Sequence, residues 1–329
     1  DPMKVLLTGA TGFVGSHILD ALLERGMPTA VLLRRTSNQR FIEQHLQQVE
    51  VHHGSITEPN SIRVAMEQVT HVIHCAGRTK AVNAAEFFEA NHQGTRQVVE
   101  EVNHRRGQIQ RLVHVSSLAA AHPAVASAPA REDDPSNPVS EYGKSKLAGE
   151  NEVRETCQTE FVILRPSAVY GPRDADFLKL FKAVKARVLP SFGGGRQALS
   201  LVFAKDLAQA AVECLTHPRA AGKILNVASP EIITARELSL EIARQMQNST
   251  IPLPLPLSFL WPICLAQELI SRITGQPGIL SRQKYRELRA PGWVCDTARI
   301  REEIGFVAST SLEYGIRNTL QWYRQQRWL

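Results

Sequence analysis

The chain has 329 residues, of which 43% are hydrophobic and 21% are charged, a composition typical of a globular protein with a buried core. Its formal net charge is +6, but the basic residues form no long tract, which argues against a nucleic-acid-binding protein. The cysteines are widely spaced, with no Cys-x-x-Cys and no Cys-His cluster, so we expect reduced thiols in a cytoplasmic protein, without a disulfide framework or a metal site.

Short β-branched runs alternate with helical segments through the first half of the chain. The predicted strands are residues 4–9, 29–34, 49–54, 70–77, 110–117 and 161–167, with a further strand at 222–229. The predicted helices between them include 12–26, 83–106 and 141–157. This alternation predicts an α/β fold of the Rossmann type, a doubly wound parallel sheet with helices on both faces.

The pattern changes after residue 172, where proline and glycine become frequent and helical segments dominate. We therefore predict a nucleotide-binding domain formed by residues 3–172 and 200–230. A smaller, mostly helical and discontinuous substrate domain would comprise residues 173–199 and 231–329. The apolar run 251–266 contains four prolines and is shorter than the ~20 residues that a membrane-spanning helix needs. It could line a lipophilic pocket, pack the C-terminal domain or contact a bilayer.

A glycine-rich turn joins the first predicted strand to the first predicted helix. Gly9, Gly12 and Gly15 are three residues apart, in the sequence TGATGFVG. Glycines allow the backbone to approach a pyrophosphate, and the N–H groups that begin the helix attract that anion. The turn, with Thr11, Phe13 and Val14, is therefore predicted to bind a dinucleotide.

The end of the second strand bears on which dinucleotide is bound. NAD-preferring sites usually place an acidic residue there for the ribose 2′-hydroxyl, but this chain has Leu33 followed by Arg34 and Arg35. Because a guanidinium pairs well with a 2′-phosphate, we predict NADP, with NAD as the alternative. Two solvated arginines on a loop would look the same in the sequence.

A tyrosine and a lysine stand four residues apart in SEYGKSKLAGE, so Tyr142 and Lys146 share one face of a helix. The ammonium, together with the positive ring of an oxidised nicotinamide, would favour the phenolate. The fifth strand ends at Ser116 and Ser117, at the sheet edge where doubly wound folds bind ligands. This set predicts hydride transfer in which serine positions the substrate, tyrosine moves the proton and lysine tunes the tyrosine.

With these motifs the chain resembles the extended short-chain dehydrogenases/reductases, which include NAD-dependent epimerases/dehydratases and 3β-hydroxysteroid dehydrogenases. The resemblance covers nearly the whole chain. The matching motifs, in chain order, are TGATGFVG, HCAG, NHQGT, VSS, YGKSK, LRPSAVYGP and VFAKDLA.

The resemblance implies a role for individual residues. Ser117, Tyr142 and Lys146 would be catalytic, and Asn91 would support the central sheet and the site. Ser55 stands where the family usually has an adenine-contacting aspartate. The residues that would contact the cofactor, beyond the glycine turn and the arginines, are Ser55, Ile56, Cys75, Ala76, Gly77, Asn91, Val115, Ser116, Tyr142, Lys146, Pro166 and Val169.

Two positions bear on the substrate. Nucleotide-sugar members usually carry an asparagine and an arginine for the diphosphate, and here these positions hold Ala168 and Leu199. This departure favours an oxidoreductase acting on an apolar secondary alcohol or ketone, as in the hydroxysteroid dehydrogenase and dihydroflavonol reductase branch. An epimerase or dehydratase of nucleotide sugars is the alternative, and a non-catalytic dinucleotide sensor is a more remote one. The resemblance also implies a homodimer formed by helices 83–106 and 141–157.

Overall fold

The computed structural model describes residues 2–278 and 280–329, which form thirteen strands and twelve α-helices. The strands are β1 Val5–Thr8, β2 Thr29–Leu33, β3 Glu50–His53, β4 His71–His74, β5 Arg111–Val115, β6 Glu160–Pro166, β7 Ala168–Tyr170, β8 Val188–Phe192, β9 Ala198–Phe203, β10 Ile224–Val227, β11 Ile232–Thr234, β12 Ile251–Leu255 and β13 Gly292–Trp293. The helices are α1 Phe13–Glu24, α2 Pro59–Ala65, α3 Ala84–Phe88, α4 Gly94–His104, α5 Glu141–Thr156, α6 Asp176–Lys185, α7 Ala204–Cys214, α8 Ala235–Met246, α9 Leu260–Thr274, α10 Tyr285–Arg289, α11 Ala298–Ile304 and α12 Leu312–Gln325.

A seven-stranded parallel sheet is the centre of the molecule, with strand order β10-β6-β5-β4-β1-β2-β3. Successive side chains of each strand point to opposite faces, so Val5 and Leu7 join one apolar core and Leu6 joins another. The first core includes residues of α1 and α7, and the second includes residues of α2, α4 and α5. The predicted Rossmann-type α/β fold is confirmed, as are all seven predicted strands of this sheet.

The predicted long helix 83–106 is confirmed from Ala84 to His104, with an unpredicted π turn inside it. A π-helical turn, Glu89–Gln93, separates α3 from α4. A π turn accommodates one extra residue, which the apolar spacing of the flanking turns does not reveal. The turn contains Asn91, whose buried side chain is described below.

The C-terminal half is rich in helices, as predicted, but it also contains two small sheets that the sequence did not predict. In one, β9 pairs with β7, β11 and β13; in the other, β12 pairs with β8. The predicted domain boundary between residues 199 and 200 falls inside β9, so that boundary divides a continuous strand. The division into two domains stays a prediction. None of the described helices is long and apolar enough to cross a membrane.

Two histidines lie side by side in the middle of the central sheet. His74 of β4 and His114 of β5 are paired in register, and their rings stack with centroids 5.4 Å apart. Burial, and secondarily the charge of Lys146, lower the pKa of His74 to about 3. Burial also lowers the pKa of His114, and neither of its ring nitrogens has a hydrogen-bond partner among the described residues. Both rings are therefore neutral in the folded protein at neutral pH.

These rings should make folding sensitive to acid. A histidine whose folded pKa is depressed stabilises the fold fully above its unfolded pKa of about 6.5, and this contribution is lost as pH falls towards the folded value. When pH is lowered from 7.5 to 5.5, the free energy of unfolding should fall by about 1 kcal/mol less in His114→Leu than in the parent. Urea unfolding at both pH values measures this difference. The exposed His53→Leu variant is the control, and equal pH slopes for His114→Leu and the parent would contradict the prediction.

Candidate active site

The predicted dinucleotide turn has the backbone geometry that this role requires. Gly9 has a positive φ of 80°, and a Cβ added there would lie 2.7 Å from the backbone nitrogen of Ala76. A Cβ on Gly15 would lie 1.8 Å from the carbonyl oxygen of Gly9, so α1 packs directly against the turn. Gly12 is the N-cap of α1; no side chain caps the helix there, and its first turn holds no acidic residue. The helix start, with Thr11, Phe13 and Val14 around it, is therefore free to receive an anion.

The residues predicted to flank a dinucleotide follow the carboxyl ends of neighbouring strands. Arg34 and Arg35 follow β2, are exposed, and form no ion pair within the described residues. Ser55 and Ile56 follow β3; the Ser55 hydroxyl hydrogen-bonds Thr57, and Ile56 packs on Gly94 of α4. Because parallel strands end at one edge of the sheet, these residues lie along the same edge as the glycine turn.

The loop after β4 lies between the glycine turn and α5, the helix that contains Tyr142 and Lys146. The Thr8 hydroxyl accepts hydrogen bonds from the backbone nitrogens of Cys75 and Ala76, each at 3.1 Å. A Cβ on Gly77 would lie 2.6 Å from Oδ1 of Asn91 and 3.8 Å from Nζ of Lys146. A glycine is therefore required at position 77, where the loop, Asn91 and Lys146 meet. The lack of a side chain there would also allow the backbone to approach a dinucleotide closely.

Asn91 fixes two neighbouring elements through its amide. Its Nδ2 donates to the Ser145 hydroxyl at 3.0 Å and to the Arg78 carbonyl at 2.9 Å, and its Oδ1 accepts from the Arg78 nitrogen at 2.8 Å. A Cβ on Gly149 would lie 2.4 Å from the Asn91 carbonyl oxygen, so α5 packs closely against the π turn. Asn91 thus holds α5 and the loop after β4 together, and its amide is fully engaged.

The three predicted catalytic residues converge at the carboxyl end of β5. The Ser117 hydroxyl lies beside the Tyr142 phenol and accepts a hydrogen bond from the Ala119 nitrogen at 3.1 Å. Lys146 is buried, and its ammonium donates to the Val115 carbonyl at 3.0 Å. Pro166 ends the adjacent strand β6, and Val169 lies in β7 just beyond it. The sequence prediction therefore named residues that the fold brings to one place.

The electrostatics of Tyr142 differ from the expectation. Burial raises the pKa of the phenol above its usual value; the Ser117 hydrogen bond opposes this rise, and the nearby Glu287 carboxylate adds to it. Lys146 is not among the main causes of this shift in the protein alone, and its ammonium is directed to the Val115 carbonyl. Burial likewise lowers the pKa of Lys146 and raises that of Cys75 to about 11. The protein alone therefore keeps Tyr142 as a neutral phenol.

Ser116, which was predicted to contact the cofactor, turns its side chain elsewhere. Its hydroxyl donates to Glu150 at 2.6 Å, and Glu150 in turn forms a two-bond ion pair with Arg165, at 2.9 and 2.7 Å. Both charged side chains are almost wholly buried. Sequence reasoning missed this pair, although Glu150 stands four residues after Lys146 and so lies on the same helix face.

Lys284 also lies at the candidate site, and the sequence analysis did not predict it. Its ammonium lies 4.5 Å from the centre of the Tyr142 ring, and Phe87 contacts the same ring at 5.8 Å between centroids. Burial lowers the pKa of Lys284, and the Glu287 carboxylate opposes that shift. The short 3₁₀ turn Arg282–Lys284 thus brings a cation from the C-terminal half to Tyr142.

Most of the apolar run 251–266 is exposed, although Leu260 and Cys264 are buried. Leu253, Leu257, Phe259 and Trp261 are each more than 40% exposed. The predicted wall of Leu253, Leu255, Leu257, Phe259 and Trp261 therefore faces solvent for the most part. The alternative, that these residues pack the C-terminal domain, is not what the structure shows.

Comparisons with known proteins agree with this geometry. The family model described as "NAD dependent epimerase/dehydratase family" matches residues 5–228. The chain is 29% identical to the ceramide reductase of Caulobacter vibrioides over 99% of this chain and 96% of that protein. It is 26% identical to the UDP-glucose 4-epimerase of Vibrio cholerae over 98% of this chain and 96% of that one.

Among solved structures, the Bordetella bronchiseptica enzyme WbmG in complex with NAD and UDP superposes with a TM-score of 0.79. Its sequence is 23% identical, and the match covers 99% of this chain and 96% of that one. The family match extends over the sheet, the glycine turn and the residues around Tyr142. The chain therefore belongs to the NAD-dependent epimerase/dehydratase family, among the enzymes of the extended short-chain dehydrogenase/reductase type.

Proposed function

We propose that the protein is an NADP-preferring oxidoreductase that interconverts a lipophilic secondary alcohol and its ketone. The observation that carries this proposal is the convergence of Ser117, Tyr142 and Lys146 beside the glycine turn. A bound nicotinamide would supply or accept the hydride at the substrate carbon. The chain's own residues would then handle the substrate oxygen and its proton.

In ketone reduction, Tyr142 gives its phenolic proton to the substrate oxygen as the carbon gains hydride; in alcohol oxidation it removes that proton. The Ser117 hydroxyl holds the same oxygen within reach of the phenol. Lys146, fixed by the Val115 carbonyl, places a positive charge beside Gly77, where it would act together with the positive ring of an oxidised nicotinamide to favour the anionic form of Tyr142. The residues proposed to hold the dinucleotide are Gly9, Thr11, Gly12, Phe13, Val14, Gly15, Arg34, Arg35, Ser55, Ile56, Cys75, Ala76, Gly77, Val115, Pro166 and Val169.

Two observations support a lipophilic substrate. Ala168 and Leu199 offer no polar group where nucleotide-sugar members of the family hold the diphosphate. The relative named ceramide reductase, which matches along nearly the full length of both chains, is by its name a reductase of a lipid. The second candidate, a nucleotide-sugar epimerase, is favoured by the similarity to UDP-glucose 4-epimerase.

Net use of the cofactor separates the two candidates. The protein would be incubated with NADP⁺ or NAD⁺ and a lipid and metabolite extract, and the mixture followed by mass spectrometry, with Tyr142→Phe as control. We expect a lipid ion to be replaced by one two hydrogens lighter as cofactor is reduced. Interconversion of UDP-glucose and UDP-galactose without net cofactor reduction would instead establish the epimerase. No turnover of any substrate by the parent would favour the dinucleotide sensor.

The choice of NADP rests on Arg34 and Arg35. We expect Arg34→Ala/Arg35→Ala to raise KM for NADPH about 10- to 100-fold, since a charge-assisted hydrogen bond is worth roughly 1.5–3 kcal/mol. KM for NADH should change little. The control Arg154→Ala/Arg301→Ala removes two other exposed arginines. Equal effects on both cofactors would contradict the assignment of the 2′-phosphate to this loop.

A further inference from the structure

Helix α9 presents its apolar side to solvent. Its buried residues are Leu260, Cys264, Glu268 and Ser271. Its exposed apolar residues are Trp261, Pro262, Ala266, Leu269, Ile270 and Ile273, and the last four stand four, seven, eight and eleven positions after Pro262. A surface helix normally turns its apolar stripe inward and its polar residues outward. The exposed fractions of Leu269, Ile270 and Ile273 are 51%, 59% and 86%, so α9 is inverted with respect to that rule.

The inward-facing carboxylate shows why the helix is held in this orientation. Glu268 is 3% exposed and accepts two hydrogen bonds from Arg282, at 2.7 and 2.8 Å. Arg272 donates a third at 2.9 Å. These charge-assisted bonds tie α9 to the 3₁₀ turn beside Tyr142. The outward position of the isoleucines is therefore fixed by the opposite face of the helix.

The segment before α9 extends the exposed apolar surface. Of the thirteen large apolar side chains that are exposed within the described residues, eight lie between positions 251 and 273. We call these eight the apolar ridge, and they are Ile251, Leu253, Leu257, Phe259, Trp261, Leu269, Ile270 and Ile273. Scattered exposed apolar residues are ordinary, but such a concentration marks an interaction surface.

The charge around the ridge indicates the kind of partner. Residues 251–289 contain five basic side chains, Arg272, Arg282, Lys284, Arg286 and Arg289, against the two carboxylates Glu268 and Glu287. At the other end of the ridge, the Ile251 nitrogen donates to the carbonyl of the exposed Arg187, and Lys185 is also exposed. Apolar and aromatic side chains flanked by Lys and Arg are typical of elements that lie in the interface of an anionic bilayer.

We propose that the apolar ridge docks the protein on the surface of an anionic membrane. Leucine, isoleucine, phenylalanine and tryptophan side chains would enter the boundary between headgroups and acyl chains. The exposed flanking side chains of Lys185, Arg187, Arg286 and Arg289 would contact the lipid phosphates. This is a peripheral contact, because α9 has only 15 residues and β12 lies on β8.

The ridge is continuous with the candidate active site. The Trp261 ring packs against Tyr285 with centroids 5.1 Å apart, and the preceding residue, Lys284, lies over the Tyr142 ring. If the proposed function holds, a docked protein would take its lipophilic substrate directly from the bilayer. Docking itself does not depend on that function and is tested without substrate or cofactor.

The test is co-sedimentation with vesicles of phosphatidylcholine containing about one-third phosphatidylglycerol, with pure phosphatidylcholine vesicles for comparison. We expect the full chain to bind the anionic vesicles, and to bind them less as salt screens the charges. Ile270→Glu/Ile273→Glu should lower the partition constant by at least about 100-fold, since burying each side chain is worth roughly a factor of ten or more. The control Val64→Glu/Leu240→Glu adds the same charge at two other exposed apolar positions and should bind like the parent.

Three outcomes would overturn the proposal. The parent could fail to sediment with anionic vesicles, or the ridge variant could bind as well as the control. Light scattering could also show that the parent is a dimer and the ridge variant a monomer, which would make the ridge an interface between two copies of the chain. Equal binding to pure phosphatidylcholine would overturn the role given to the arginines and lysines. Vesicle binding without any turnover would refute only the proposed reaction.

Discussion

Replacing Tyr142 by phenylalanine is expected to lower kcat by about 100- to 10,000-fold, the usual contribution of a positioned general acid or base. The Tyr142 side chain is half-buried and packed between Phe87 and Lys284, and its phenol lies beside the Ser117 hydroxyl. The change removes one hydroxyl and leaves the ring, so the fold and cofactor affinity should be preserved. Steady-state kinetics with the substrate found above, together with fluorescence titration of NADPH, measure both quantities.

The pH dependence of kcat is a second test of the role of Tyr142. Burial raises the pKa of Tyr142, so the phenol form predominates in the protein alone. Alcohol oxidation, which needs the phenolate, should therefore accelerate as pH rises, whereas ketone reduction, which needs the phenol, should stay constant until pH approaches the pKa of the phenol. Tyr285→Phe is the matched control, because it removes a phenol near the same site. A Tyr142→Phe enzyme with parental kcat and pH profile would exclude proton transfer by this residue.

Breaking the Glu150–Arg165 pair is expected to give the largest loss of stability. Glu150→Leu would leave the Arg165 guanidinium buried without its carboxylate, at a cost of about 3–5 kcal/mol. For a chain of this size the corresponding fall in Tm is roughly 6–20 °C. The double variant Glu150→Leu/Arg165→Met should recover most of the loss, because an apolar pair of similar volume needs no desolvation of charge.

Glu152, two residues further along α5, provides the control. It also forms ion pairs, with Arg96 and His92, but the Arg96 side chain is 40% exposed. Glu152→Leu should therefore cost no more than about 1 kcal/mol. Thermal and urea unfolding of the three variants and the parent would measure these differences. If Glu150→Leu and Glu152→Leu were equally stable, the buried pair would contribute nothing beyond a surface pair.

The sequence predicted the central sheet and the catalytic set because both depend on local signals. The strands of the sheet are short apolar runs bounded by glycines and polar turns, and Tyr142 and Lys146 are related by one turn of a single helix. Their meeting with Ser117 and Gly77 then follows from the rule that parallel strands end at one edge. The roles of these residues in binding and catalysis remain predictions.

The features that the sequence did not predict depend on contacts between distant segments. Lys284 reaches Tyr142 across more than a hundred residues, and Arg165 meets Glu150 only because β6 lies beside α5. The strands of the two small sheets are only two to six residues long, and β8 and β12 contain prolines, so the sequence pattern that would predict them is weak. The phenol pKa was misjudged because spacing alone does not show that Lys146 is directed to a backbone carbonyl.

The π turn at Glu89–Gln93 has a consequence for how this chain tolerates insertions and deletions. Removing one residue from the turn would restore a regular α-helix, since the π turn holds one residue more than the α pattern. In an ordinary α-helix a single deletion rotates one side by about 100° relative to the other, because the helix has 3.6 residues per turn. Here the two flanking segments would keep their faces, because the deletion removes the residue that the π turn absorbs. The change would fall on the turn that holds Asn91, and therefore on its hydrogen bonds to Ser145 and Arg78.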